Sequence, residues 1–304
     1  VKMFKHDLSV PIDPQLENLL LDKRLVVDND NALNVAAKGI DLIINMASES
    51  AVERSTQDPT SCIRNNVDLT LNMLEFARRC PNLEQFIQIS TDEVYGEAPP
   101  DGLHKEWATI MPNNPYAASK AAQEALAISY WRTYNLPIII TNTMNLIGER
   151  QDPEKFLPKI IQKVALGEEM PIYGDSEDSI GSRIYIHAKD MADALVFLAD
   201  RTPKRYADFV QSGKTWDARP DRFNIVGDEE INNLELAREV AHIMGHKTLK
   251  YRLVPSESAR PGYDRRYGLD GSKMQSLGWR HPLGLKKSLG QIVSWTLSNP
   301  HWLL

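Results

Sequence analysis

Tyr116 and Lys120 stand four residues apart in Tyr116-Ala117-Ala118-Ser119-Lys120, inside a stretch to Tyr134 whose Ala, Gln, Glu and Leu content reads as helix. Residues at i and i+4 share one helix face, about one turn apart. An ammonium near a phenol favours the phenolate, which lowers the tyrosine pKa and lets it take a proton from an alcohol. The spacing alone is a weak signal, because solvated helix faces produce it by chance. A second group strengthens it. Ser90-Thr91-Asp92-Glu93 closes the apolar run Phe86-Ile87-Gln88-Ile89, and Thr91 can share the hydrogen bond of the hydroxyl. Asp92 and Glu93 set two carboxyls side by side, and environments that separate their pKa values would make one an acid and the other a base. Without context, such a pair reads more readily as a solvated turn.

Apolar runs alternate with helical spacing through the first half of the chain. Asp41 to Ala47, Phe86 to Ser90 and Pro137 to Thr141 read as buried strands, and Val1 to His6 as another. Asn66 to Arg79 places Val67, Leu71, Leu74 and Ala77 at helical intervals. The alternation predicts a doubly wound α/β fold, a parallel sheet with helices on both faces. Ligands of such sheets sit beyond the carboxyl ends of the strands. Ala47, Ser90 to Glu93 and Asn142 to Asn145 all fall at such ends. Further on, Phe156 to Leu166, Ala188 to Ala199 and Leu234 to Met244 read as helices, and Arg201 to Pro220 as an exposed, irregular excursion. His246 falls in a helix-terminal turn, and Trp295 and Trp302 read as packing residues.

The 304 residues, 42% of them hydrophobic and 25% charged, suffice for sizeable cores and argue against disorder. A net charge of −6 argues against a nucleic-acid footprint, leaving room for a local basic pocket. Cys62 and Cys80 have no metal-ligand spacing, and two isolated thiols suit a reducing compartment. No metal site is expected. The absence of an apolar run of spanning length predicts no membrane association, with a cytoplasmic location as the default.

Ser90 to Gly96 (S-T-D-E-V-Y-G), followed by Asn114-Pro115 and Y-A-A-S-K, resembles the extended short-chain dehydrogenase/reductase superfamily. Its T-D-E resembles the sugar-nucleotide 4,6-dehydratases of the dTDP-glucose type within that superfamily. Met46 to Ser55 (M-A-S-E-S-A-V-E-R-S) is similar to a segment that lines cofactor and sugar there. Asn145 and Pro153 to Pro158 resemble a diphosphate-holding stretch, and Pro171-Ile172-Tyr173-Gly174 a nucleotide-base wall. Arg183 with Tyr185, His187 and Asp190, then Phe223-Asn224-Ile225 and Arg260 to Tyr267 (R-P-G-Y-D-R-R-Y), match later motifs. An arginine fork suits a diphosphate through bidentate, charge-assisted hydrogen bonds.

The resemblance implies a Rossmann-type cofactor domain at 1–145 and 181–213, and a smaller nucleotide-sugar domain at 146–180 and 214–304. It implies catalysis by Thr91, Asp92, Glu93, Tyr116 and Lys120. NAD would meet Asp7, Leu8, Met46, Ala47, Ser48, Ser50, Ser90, Tyr116, Lys120 and Asn142. The nucleotide sugar would meet Ser50, Asn145, Lys155, Phe156, Pro171, Ile172, Tyr173, Arg183, Asn224, Arg260 and Tyr263. A homodimer is implied through the helices around Asn66 to Arg79 and Ala117 to Tyr134. The glycine-rich G-x-x-G-x-x-G turn of the superfamily is nowhere in this sequence, which is therefore expected to enter the fold at its third strand, with the N-terminal strands outside it. Ala51 replaces a histidine of the pattern, and Asp175 to Ser182 is a longer loop. Two rivals stay open: a 4-epimerase or decarboxylase on the same fold, and a non-catalytic relative that lost its cofactor turn.

Overall fold

The runs Phe86-Ile87-Gln88-Ile89 and Ile138-Ile139-Ile140 become strands in which every residue is buried, as a sheet covered on both faces requires. The computed structural model describes residues 8–11, 39–255 and 264–303. In chain order the strands are β1 (Leu42–Asn45), β2 (Gln85–Thr91), β3 (Ile138–Thr143), β4 (Asn145–Ile147), β5 (Met170–Tyr173), β6 (Ser182–His187), β7 (Asp221–Ile225), β8 (Glu230–Asn232) and β9 (Tyr251–Val254). The helices are α1 (Val52–Gln57), α2 (Pro59–Arg78), α3 (Pro115–Tyr134), α4 (Phe156–Leu166), α5 (Ala188–Ala199), α6 (Tyr206–Gln211), α7 (Asn233–Ile243), α8 (Ser272–Ser276) and α9 (Leu285–Ser298). The expected strand Val1 to His6 lies outside the described residues.

Two compact units result. The first comprises the described residues up to Val94 with Ile110–Asn142 and Ala199–Phe223, and the second comprises Tyr95–Thr109, Thr143–Leu198 and the described residues from Asn224 onward. The expected cofactor domain includes 95–109, 143–145 and 181–198, which cluster within the second unit, and leaves out 214–223, which cluster within the first.

In the first unit the sheet order is β1-β2-β3-β7, with β1 parallel to β2 and Asn45 opposite Gln88. Helix α2 begins at Pro59, earlier than apolar spacing predicts. The cause is local: Asp58 accepts from Ser61 N at 3.0 Å, and proline suits the first helical position, where no N–H is needed. Asn114 and Pro115 start α3 in the same way, and Asn135 ends it in the left-handed conformation. Trp131, Phe86, Leu74, Ile138 and Ile140 form the core.

The stretch Arg201 to Pro220 is mostly exposed, as its polarity predicts, but it is not irregular. It contains α6, whose Tyr206 and Phe209 meet Trp131 edge-on at centroid distances of 5.2 and 5.7 Å. The indole of Trp131 donates to Lys204 O at 2.7 Å, so two aromatic residues in a polar segment suffice to fasten it. Trp216 remains exposed.

In the second unit β4 runs parallel to β6, and β6 antiparallel to β8, while β5 and β9 pair in parallel. Leu157, Ile160, Ile172, Leu236, Val240 and Leu289 anchor its core. His246 is exposed after Gly245, which has φ 84°, and Trp295 packs edge-on against Trp302, as expected. Among the described residues no helix is long and apolar enough to cross a membrane, and no cluster could hold a metal ion.

Candidate active site

Strand β2 ends at Thr91, and the chain turns at once into a 3-10 turn, Asp92–Tyr95. The two carboxyls therefore stand at the end of a buried strand and are themselves only 3% and 8% exposed, which removes the reading of a solvated turn. Thr91 Oγ1 donates to Asp92 Oδ1 at 2.9 Å, and Asn114 Nδ2 donates to Glu93 Oε2 at 2.9 Å. Each carboxyl has a different partner, and different partners are what acid and base roles require.

Helix α3 presents Tyr116 and Lys120 to this turn. The Tyr116 backbone is tied to Ser55 Oγ at 3.2 Å. Burial, then the charges of Glu93 and Asp92, push the Tyr116 phenol well above its ordinary pKa, opposed by a hydrogen bond with Thr91. The four-residue spacing predicts that Lys120 lowers that pKa. Instead Lys120 Nζ donates to Ile89 O at 2.8 Å and to Gln123 Oε1 at 2.6 Å, and its own pKa is pushed down to about 8 by burial, against the attraction of Glu124. The spacing brings the pair onto one face; the tertiary contacts direct the ammonium to β2.

Several buried polar residues behind this pair escaped sequence reasoning. Asn66 on α2 donates to Ser119 Oγ at 2.8 Å and to Glu49 O at 3.0 Å, and accepts from Glu49 N at 2.7 Å. One amide thus anchors the segment after β1 to α3. Gln123 Nε2 donates to Asn66 O at 2.7 Å, and Asn142 Nδ2 to Thr91 O at 3.0 Å. A signal existed. Asparagine in a helix interior is a poor helix former, and Gln123 and Glu124 follow Lys120 by three and four positions.

The remaining candidates of the first unit occupy strand ends and loops. Leu8 is half-buried and its carbonyl accepts from Asn72 Nδ2 at 2.9 Å, whereas Asp7 lies outside the described residues. Met46 is 55% exposed just past β1, Ala47 and Ser48 are half-buried, and Ser50 is exposed. Ser90 Oγ is buried with no hydrogen-bond partner, and Lys120 spends two of its three ammonium protons on protein acceptors. An orphaned hydroxyl at the end of β2 and a lysine bonded to the carbonyl of the preceding residue fit a ligand rich in hydroxyls, such as the ribose half of a nicotinamide dinucleotide. The present residues fit NAD at this end.

The second unit holds the candidates for the sugar nucleotide. Asn145 is half-buried with Oδ1 unpartnered, Lys155 and Phe156 open α4, and Tyr173 is 40% exposed. Pro171 is partly exposed, whereas Ile172 packs into the core. Arg183 donates to Ser182 O, Arg265 O and Asp264 O, each at 2.7 Å, over the Tyr267 ring. Asn224 Nδ2 donates to His104 O at 2.9 Å and to Asp270 O at 3.2 Å. Both side chains fasten loops of their own unit. Arg260 and Tyr263 lie outside the described residues.

Comparisons with known proteins place the chain in a family. The model of the NAD dependent epimerase/dehydratase family matches residues 20–209. The dTDP-glucose 4,6-dehydratase of Xanthomonas campestris pv. campestris is 33% identical over 278 residues, covering 86% of this chain and 74% of that protein. The low-salt glycan biosynthesis protein Agl12 of Haloferax volcanii is 34% identical, covering 85% of this chain and 76% of its own. Among solved structures, the dTDP-glucose 4,6-dehydratase DesIV of Streptomyces venezuelae, with NAD bound, superposes with a TM-score of 0.76 at 29% identity, covering 98% of this chain and 80% of that one. The UDP-glucose 4-epimerase of Thermus thermophilus shares the fold at a TM-score of 0.72 and 24% identity, over 88% of this chain and 83% of that one. The extent of these matches, together with a helix-borne tyrosine and lysine set beside the end of a buried strand, makes this chain a member of the NAD dependent epimerase/dehydratase family.

Proposed function

We propose that the protein is an NAD-dependent sugar-nucleotide 4,6-dehydratase that converts an NDP-hexose, dTDP-glucose foremost, into the NDP-4-keto-6-deoxyhexose. The observation that carries the reading is the pair Asp92 and Glu93, buried at the end of β2 with Thr91 bonded to Asp92 and Asn114 to Glu93. A 4-epimerase or decarboxylase needs no such pair. When bound, NAD supplies the hydride acceptor and donor.

In this reading Tyr116 takes the proton of the C4 hydroxyl, with Thr91 sharing its hydrogen bond. The resulting 4-keto group acidifies the C5 hydrogen, which Glu93 removes. Asp92 protonates the departing C6 hydroxyl, which leaves as water. For that step Asp92 must carry a proton, and its neutral form removes one of the two charges that hold the Tyr116 phenol up. The acid role of Asp92 and the base role of Tyr116 thereby support each other. On this reading Ser90, Lys120 and Asn142 are assigned to the cofactor, with Met46, Ala47, Ser48, Ser50, Asp7 and Leu8. Asn145, Lys155, Phe156, Pro171, Ile172, Tyr173, Arg183, Asn224, Arg260 and Tyr263 belong to the substrate side. The protein works as a cytoplasmic homodimer, a reading supported by the exposed Ile63 and Leu71 on α2 and tested by light scattering.

The decisive assay mixes the protein, NAD and several nucleotide hexoses and reads product mass. A product lighter by one water is expected. Glu93→Gln should still reduce the cofactor with substrate while solvent deuterium fails to enter C5. Asp92→Asn should slow loss of the C6 oxygen more than C4 oxidation. A mass-neutral C4 epimer, formed equally well by both variants, would overturn the reading.

A further inference from the structure

A chain of hydrogen bonds crosses the first unit and ends on the catalytic turn. Arg222 on β7 donates Nη2 to Glu124 Oε2 at 2.6 Å. Asn142 Nδ2, near the end of β3, donates to Glu124 Oε1 at 2.8 Å and to Thr91 O at 3.0 Å. Arg222 is 1% exposed, and Glu124 and Asn142 are 0% exposed, so the chain is shielded from bulk solvent. A buried ion pair of this kind gives little net stability over apolar residues of the same volume. What it does supply is a fixed geometry and a fixed charge.

We propose that Glu124 is a positioning residue for the reaction: clamped by Arg222, it holds Asn142 against the Thr91 carbonyl and sets a negative charge one helical turn behind Lys120. It touches neither Tyr116 nor the two carboxyls and acts through Asn142 and Lys120. Through Asn142 it fixes the backbone that carries Thr91, Asp92 and Glu93. Through its charge it opposes the desolvation that drives Lys120 toward the neutral amine. Among the described residues the two carboxylate charges of the site act elsewhere, since Glu93 and Asp92 bear on Tyr116. Glu124 is the charge that acts on Lys120. The inference rests on the proposed function only for the statement that Thr91 and Lys120 serve the sugar chemistry.

The test follows the ammonium itself. In the full chain, labelled with ¹³C at lysine Cε, the Lys120 resonance is identified by its loss in Lys120→Arg and titrated with and without added NAD. The wild type should titrate near pH 8. Glu124→Gln, whose amide oxygen can still accept from Asn142, should titrate lower by about one pH unit, the usual scale for losing a neighbouring opposite charge. Because that variant leaves Arg222 buried without its counter-charge, Glu124→Gln/Arg222→Gln is measured beside it and should also titrate below wild type. Glu124→Asp should return the titration toward wild type. In active enzyme the alkaline limb of the kcat/KM profile should move with the resonance. A Lys120 titration unchanged in a folded Gln variant overturns the proposal. An inactive chain whose Lys120 still shifts supports it and overturns the dehydratase reading instead.

Discussion

Asn114 donates from Nδ2 to Glu93 Oε2 at 2.9 Å, while its Oδ1 accepts from Ala117 N at the same distance. The residue that caps the helix bearing Tyr116 is therefore also the one that orients the Glu93 carboxylate. One amide sets the helix start and one of the two adjacent carboxyls.

Asn114 variants should separate those two duties. Asn114→Ser keeps a capping oxygen but is too short to reach Glu93, so thermal stability should stay near wild type while kcat falls. Asn114→Ala loses both, costing about 1 kcal/mol of stability for the cap as well as the turnover. Calorimetry with steady-state kinetics on both variants checks this. Equal kcat in wild type and Asn114→Ser would show that Glu93 needs no donor.

Tyr116→Phe should lower turnover roughly 10²–10⁴-fold, the usual scale for losing a positioned proton donor or acceptor. Nucleotide affinity, read by calorimetric titration with the nucleoside diphosphate, should stay near wild type because the hydroxyl is held by Thr91. Near-wild-type turnover would take Tyr116 out of the mechanism.

His187 makes acid stability the next expectation. Its ring is buried at the end of β6, with Nδ1 accepting from Lys189 N at 2.9 Å and Nε2 3.3 Å from Glu149. Burial pushes its pKa below the usual value of 6.5, against the pull of Glu149. The unfolded chain then takes up the proton first, so stability is full above 6.5 and lost as pH falls through that value toward the folded pKa. The depressed Glu149 carboxyl adds loss in the same direction, below its usual value of 4.5. Thermal midpoints measured between about pH 5 and 8 should fall toward the acid end, and His187→Gln should flatten the part near neutrality.

Asn224→Leu should destabilise the protein by about 1–3 kcal/mol, since the carbonyls of His104 and Asp270 lose a buried donor. Denaturant unfolding measures it. If Asn224 serves only to hold these loops, Asn224→Leu should change stability before it changes KM for the nucleotide sugar.

The periodicities that make strands and helices were visible in the chain, because burial on both faces leaves runs such as Ile138-Ile139-Ile140 and helical spacing leaves the apolar stripe of α2. The Thr91-Asp92-Glu93 and Tyr116-Lys120 groups were visible because chemistry fixes residue type and local spacing together. Boundaries followed caps that the apolar pattern does not encode, as Asp58 and Pro59 show for α2. The packing of Arg201 to Pro220 was hidden, because Tyr206 and Phe209 find Trp131 only once the chain has returned to it. The same holds for direction and charge. Sequence placed an ammonium one turn from a phenol, but the fold sent Lys120 to Ile89 O and Gln123, brought two carboxylates to Tyr116, and joined Arg222 to Glu124 from 98 positions away. Contacts between distant segments exist only after the sheet has assembled, and burial magnifies each of them, so local sequence fixed which groups were available and tertiary structure decided which protons they hold.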